Sequence, residues 1–157
     1  ARSAESAEQR AALDLDSLLE SVVEDVAESG HDAALQQGCG AVLMLRPLAM
    51  RRLFSNLVEN AVKYGRSARV SACCDGGAIE VRVRDHGPGL AGDELEAVFT
   101  PFLRLETSRS RETGGAGLGL TIARALAEKD GATLVLRNHP DGGLEAVVRW
   151  EAPQRAG

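Results

Sequence analysis

The period of the hydrophobic pattern changes abruptly in the middle of this chain, and that change restricts what it can fold into. From Leu48 to Tyr64, Met50, Phe54, Leu57, Val58 and Ala61 recur at helical spacing, with Pro47 before the first turn and Gly65 at the end. A few residues later the period falls to two. Arg69 to Cys74 and Ala78 to Asp85 alternate small or apolar residues with polar ones across Asp75-Gly76-Gly77, which predicts an antiparallel hairpin. A one-sided helix followed at once by one-sided strands gives a mixed α+β pattern.

The flanking segments extend this pattern. Residues 1–12 are poor in large apolar side chains and read as a linker; the domain is expected over 13–152, with 153–157 as a C-terminal tail. A short strand is expected around Leu13 and Leu15, then a helix from Ser17 to Ser29, capped by Asp16 or Ser17 and stopped at Gly30. Ala33 and Leu35 fit one strand and residues 41–45 another. A helix from Leu118 to Asp130, stopped by Gly131, precedes strands over Thr133–Arg137 and Leu144–Trp150.

With 157 residues, 44% of them hydrophobic, the chain can bury one core. A net charge of -5 and the absence of any basic run interleaved with aromatics argue against a nucleic-acid partner. No apolar stretch approaches the roughly 20 residues that span a bilayer, so no direct membrane contact is expected. Cys39, Cys73 and Cys74 make an odd set without metal-ligand spacing, which fits a reducing, cytoplasmic setting, and they are assigned no chemical role.

Three groups of residues carry candidate chemistry. On the helix ending at Tyr64, Asn56, Asn60 and Lys63 share one stripe at about 100° per residue, beside the apolar one. Two amides and an ammonium can supply oxygen ligands to a hard cation and positive charge to phosphates, although a solvated helix face has the same composition. On the second hairpin strand, Ile79, Val81 and Val83 share a face that ends in Asp85. A buried carboxylate there needs donors, which a turn or an adenine amino group could equally provide. Gly87-Pro88-Gly89 follows and lets backbone approach a flat ligand.

Finally, Gly114, Gly115, Gly117 and Gly119 lead into a helix, where exposed amides and the positive dipole end suit phosphate. Neither the Walker nor the dinucleotide spacing is met. Upstream, Phe99, Phe102 and Arg104, with Arg109 and Arg111, lie in a glycine-bordered segment from about Leu90 to Thr113, long enough to predict a mobile lid over a polyphosphate.

In order, NLVENAVKYG, DHGPGL, FTPFLR and GAGLGL resemble the N, G1, F and G2 boxes of the sensor histidine kinase catalytic domain, of the GHKL superfamily, most closely the osmosensor-type kinases. The resemblance runs from about Leu13 to Trp150. It implies a Bergerat-type two-layer α/β sandwich, a mixed sheet with helices on one face and a long ATP lid. It implies ATP and Mg2+ as cofactors, Asn60 and Asn56 as metal ligands, and Asn56, Lys63 and Arg104 as the catalytic set. Lys63 and Tyr64 would contact phosphate and nucleotide, and Asp85 the adenine amino group. Gly87, Gly89 and Leu90 would shape the adenine pocket. Phe102, Arg104, Gly115, Gly117, Leu118 and Gly119 would complete the nucleotide site.

The implied partners are a dimerisation domain carrying the phosphoacceptor histidine and the receiver domain of a response regulator, with the parent protein in the inner membrane. Ala116 stands where that family usually has Thr or Ser, and no phosphoacceptor helix is present within these residues. ATPases of the same superfamily carry Glu, a general base, one turn before the metal-binding Asn. Here that position is Asn56, which disfavours attack by water. Glu59 adjoins Asn60 but projects about 100° away. A nucleotide-binding module without transfer activity is the remaining alternative.

Overall fold

The computed structural model describes residues 8–98 and 119–156. The described chain runs β1 (Ala11–Asp14), α1 (Leu15–Glu28), β2 (Asp32–Gln37), β3 (Val42–Leu45), α2 (Pro47–Gly65), β4 (Ser67–Asp75), β5 (Ala78–Arg84), α3 (Glu94–Ala97), α4 (Gly119–Lys129), β6 (Thr133–Asn138) and β7 (Leu144–Trp150). Five strands form a mixed sheet in the order β2-β4-β5-β7-β6, parallel only between β2 and β4, while β1 and β3 pair antiparallel in a small second sheet.

Alternation along the strands decides which face the helices cover. Val70, Val83, Ala146 and Leu136 lie side by side across four strands, as do Ala72, Val81, Val148 and Leu134, and these rows are buried. α1, α2 and α4 close that face with Leu19, Val22, Met50, Phe54, Val58 and Ala123. Trp150 completes the core at the end of β7. Its ring lies 6.4 Å from Phe54, and its indole N–H donates to the Asp130 carbonyl at 3.2 Å.

The opposite face is open and carries a charge ladder. Arg84 faces Glu145, which faces Arg137; Glu80 faces Arg149 and also accepts from Arg82. Glu80 and Glu145 are buried beneath the arginine stems although, among the described residues, no helix covers them. Burial alone would push Glu80 up, but hydrogen bonds and charge from Arg82 and Arg149 outweigh it and hold the carboxyl below its ordinary value.

Several local details differ from the sequence expectations. α1 begins at Leu15, and Asp14 is its N-cap, accepting from Ser17 N at 3.1 Å. Asp16 serves a distant loop instead, its two oxygens accepting from Cys39 N at 2.9 Å and Gly40 N at 2.8 Å. α2 includes Gly65, and the left-handed C-cap is Arg66, at φ 69°. The β4–β5 connection is a two-residue turn with positive φ at Gly76 and Gly77, the geometry that keeps the right-handed twist of a hairpin. The segment after Gly89 is not wholly irregular, since α3 forms within it.

Residues beyond both expected domain bounds are joined to this body. Ala11 and Ala12 pair with Leu45 and Met44, and at the other end Met44 N donates to Gln154 O at 2.8 Å. Burial pushes the Cys39 thiol above its ordinary value, which makes it a poor nucleophile. Among the described residues no helix is long and apolar enough to cross a membrane.

Candidate functional site

The site is built where α2, the end of β5 and the start of α4 meet. Asp85 follows β5 on the core-facing side and is only 3% exposed. Its Oδ1 accepts from Leu144 N at 2.8 Å and Gly87 N at 2.9 Å, while its own N–H donates to Leu144 O at 2.8 Å. The carboxylate thus closes the turn into Gly87-Pro88-Gly89 and is held in one orientation. Both readings left open by the sequence rest on the same group, one oxygen capping the turn beside a second oxygen.

Glycine is required around Asp85 for reasons of space. A Cβ on Gly65, the last residue of α2, would overlap the Asp85 carboxylate, and one on Gly143 would overlap its carbonyl oxygen. Sequence reasoning took Gly65 as a helix stop; its function is to let the helix end lie against the acid. Gly89 has φ 77°, and Leu90 beyond it is half-buried against the core.

Asn138, at the end of β6, was missed by sequence reasoning. Its side-chain oxygen accepts from Leu90 N at 3.0 Å and its amide donates to Leu90 O at 2.7 Å, so it clamps the loop that follows Asp85. The available signal was an Asn next to the His139–Gly143 turn, which reads equally well as an ordinary turn residue.

Asn56 and Asn60 lie half-buried on the side of α2 that faces α4. Asn56 Nδ2 is 3.5 Å from Gly119 O, and Asn60 Nδ2 would lie 3.9 Å from a Cβ placed on Gly119. Lys63 is exposed and borders a different region, a groove of about 310 Å3 shared with Asp25 and His31 near the end of α1. Glu59 lines the same groove, so it stands on the α1 side and away from the two asparagines. Tyr64 is half-buried in the last turn of α2.

Arg124 of α4 donates to Glu96 of α3 at 2.5 Å and holds that carboxyl below its ordinary range. The two described borders of the long segment are therefore tied together. Phe102, Arg104, Gly115, Gly117 and Leu118, with the core of the expected lid, lie outside the described residues.

A mixed sheet with helices on one face, a buried acid at a strand end and paired amides aimed at a helix start define the class of Bergerat-type nucleotide-binding sandwiches. Residues 46–154 match the family described as histidine kinase-, DNA gyrase B-, and HSP90-like ATPase. The chain is 34% identical over 138 residues to the sensor histidine kinase component HK1 of Mycobacterium tuberculosis, covering 87% of this chain and 81% of that protein. It is 38% identical over 117 residues to the sensor protein RstB of Escherichia coli, covering 74% of this chain and 27% of RstB. The ATP binding domain of PrrB from Mycobacterium tuberculosis superposes with a TM-score of 0.76 at 26% identity, covering 94% of this chain and all of that one. The chain therefore belongs to the histidine kinase-, DNA gyrase B- and HSP90-like ATPase family, and within it is the ATP-binding catalytic domain of a histidine kinase. It spans only about a quarter of the length of RstB.

Proposed function

We propose that this domain binds ATP with Mg2+ and passes the γ-phosphate to a histidine on a separate helical dimerisation domain, from which a response-regulator receiver takes it. The observation that carries this reading is the approach of Asn56 and Asn60 to the start of α4, with Asp85 fixed against Gly65 at the end of α2. Asp85 accepts the adenine amino group, with Gly87, Gly89 and Leu90 along the ring. The backbone amides at the start of α4, from Gly119 on, face the phosphates with the positive end of that helix.

Two neutral amide oxygens, on Asn60 and Asn56, fit a hard cation that also needs phosphate oxygens. Bound there, Mg2+ supplies positive charge against the phosphates as they are transferred. Lys63, Tyr64 and Arg104 act on the same phosphates, Lys63 by swinging its long stem from the groove edge and Arg104 from the segment before α4. Positioning and charge stabilisation then account for catalysis, since phosphoryl transfer asks for little covalent chemistry from the protein.

Hydrolysis is the alternative within the same superfamily, and the placement of Glu59 toward α1 weighs against it, because no carboxylate of α2 stands beside Asn60 on the α4 side. The domain organisation proposed is residues 1–12 leading from the dimerisation domain, 13–152 as the catalytic unit and 153–157 as its tail, with Ala11, Ala12 and Gln154 paired onto the unit from either side, on the cytoplasmic side of an inner-membrane parent. Incubated with labelled ATP and the histidine domain of its own kinase, the chain should transfer phosphate to that histidine, and Asn60→Ala should abolish transfer. Brisk ATP turnover without transfer would replace the kinase reading by the ATPase one.

A further inference from the structure

The short stretch of chain ahead of β1 touches both helices that carry the metal and phosphate groups, at the ends remote from those groups. Leu48 N and Ala49 N, in the first turn of α2, donate to Glu8 Oε2 at 2.7 Å and Oε1 at 3.1 Å. The residue in the N-cap position, Arg46, makes no side-chain cap, and Pro47 has no N–H, so Glu8 satisfies the first turn from far along the sequence. Two residues on, Arg10 donates through Nε to Asp130 Oδ1 at 3.3 Å and through Nη2 to Lys129 O at 3.2 Å, at the last turn of α4.

Asp130 joins these two contacts. It is 4% exposed and accepts from Arg46 Nε at 2.8 Å and Arg46 N at 3.1 Å, so the start of α2 and the end of α4 are bound through one carboxylate. The helices run antiparallel: their opposite ends bring Asn56 and Asn60 to Gly119. An α-helix is a stiff rod that rises about 1.5 Å per residue, so an axial slip at one end arrives at the other nearly undiminished.

We propose that Glu8 and Arg10 are positioning residues for the phosphoryl-transfer site: together they fix the axial offset of α2 against α4, and with it the separation of the Asn60 amide from the phosphate-facing amides at the start of α4. The proposal rests on the nucleotide site proposed above. Adenine recognition does not share this dependence, because Asp85 is pinned by Gly87 and Leu144 on the sheet.

The test compares Mg2+-ATP with adenosine, which lacks phosphates, by calorimetry on the whole chain. Glu8→Ala/Arg10→Ala should weaken Mg2+-ATP by about three- to tenfold and leave adenosine within about twofold, with Arg10→Lys recovering part of the single-variant loss. The single variant Arg10→Ala, at a half-exposed side chain, serves if the double variant unfolds. Unchanged Mg2+-ATP affinity in the folded variants, or equal weakening of both ligands, would show that these contacts only stabilise the fold and would overturn the proposal. Asn60→Ala is the control: if it too leaves Mg2+-ATP affinity unchanged, the metal-site reading itself fails and takes the proposal with it.

Discussion

At Asp85 one carboxylate holds the turn after β5 and, in the proposed site, recognises the base. Removing it deletes the acceptor of two backbone amides, that of Leu144 buried and that of Gly87 half-buried, as well as the proposed adenine contact. Asp85→Ala should therefore weaken ATP by about 1.5 to 3 kcal/mol, the range for a hydrogen bond to a charged group, or roughly ten- to more than a hundredfold. Isothermal calorimetry with unchanged ATP affinity would remove Asp85 from the site. Gly65→Ala probes the same place from the helix side: its Cβ has no room beside the acid, so ATP binding should fall even though alanine is the better helix former. An ATP affinity equal to that of the parent chain would mean that the helix end moves aside freely. Asn138 acts on the loop after Asp85 from a third direction, and Asn138→Asp, which keeps an acceptor for Leu90 N and loses the donor to Leu90 O, should weaken ATP less than Asn138→Ala does.

Between elements, the covered and open faces of the sheet are stabilised by different forces. The helix side relies on apolar rows, whereas the open side relies on Glu80 and Glu145 lying among arginines. Because the folded pKa of Glu80 is depressed, the stability it contributes is present above the pKa of the unfolded chain and lost as pH falls through the folded value. Glu80→Gln should thus lower stability near neutral pH by about 1 kcal/mol, a modest figure because its arginine partners are partly solvated. The loss should shrink as the pH falls through the depressed folded value, below which both chains carry an uncharged side chain. Urea unfolding at pH 7 and pH 3 checks this; a loss of the same size at both would mean that packing, not charge, is what Glu80 contributes. The α2–α4 pair is tied more stringently. Asp130→Ala removes the buried carboxylate that accepts from the Arg46 side chain and backbone and should cost about 3 to 5 kcal/mol, read in the same unfolding experiment.

For the whole molecule, nucleotide in the proposed site would bridge the sheet and the helix layer, so binding should stabilise the fold as one unit. At a hundredfold excess over Kd, Mg2+-ATP should add about 2.7 kcal/mol and raise Tm by roughly 5 to 10 °C for a domain of this size. Asn60→Ala should remove most of that gain, and a Tm indifferent to Mg2+-ATP in the parent chain would contradict the site as assembled here.

What the sequence determined by itself was everything carried by local chemistry and period. The helix over Leu48–Tyr64, the hairpin across Gly76-Gly77 and the alternation that delivers Asp85 to the core face all follow from side-chain spacing, and four short motifs in order were enough to imply the family. What only the tertiary structure decided were pairings between residues far apart in the chain. Nothing near Asp14 and Asp16 says that the first caps a helix while the second serves Cys39 and Gly40, since both are acids at a helix start. The stripe of Asn56, Asn60 and Lys63 is one stripe by periodicity, yet α4 packs beside the asparagines and α1 beside the lysine, which divides it. Glu8, Arg10, Arg46 and Asp130 have ordinary surface composition in the sequence. Their meeting depends on the order in which strands and helices stack, and a carboxylate becomes a helix cap or a buried counter-ion only once folding has brought its donors within hydrogen-bonding distance.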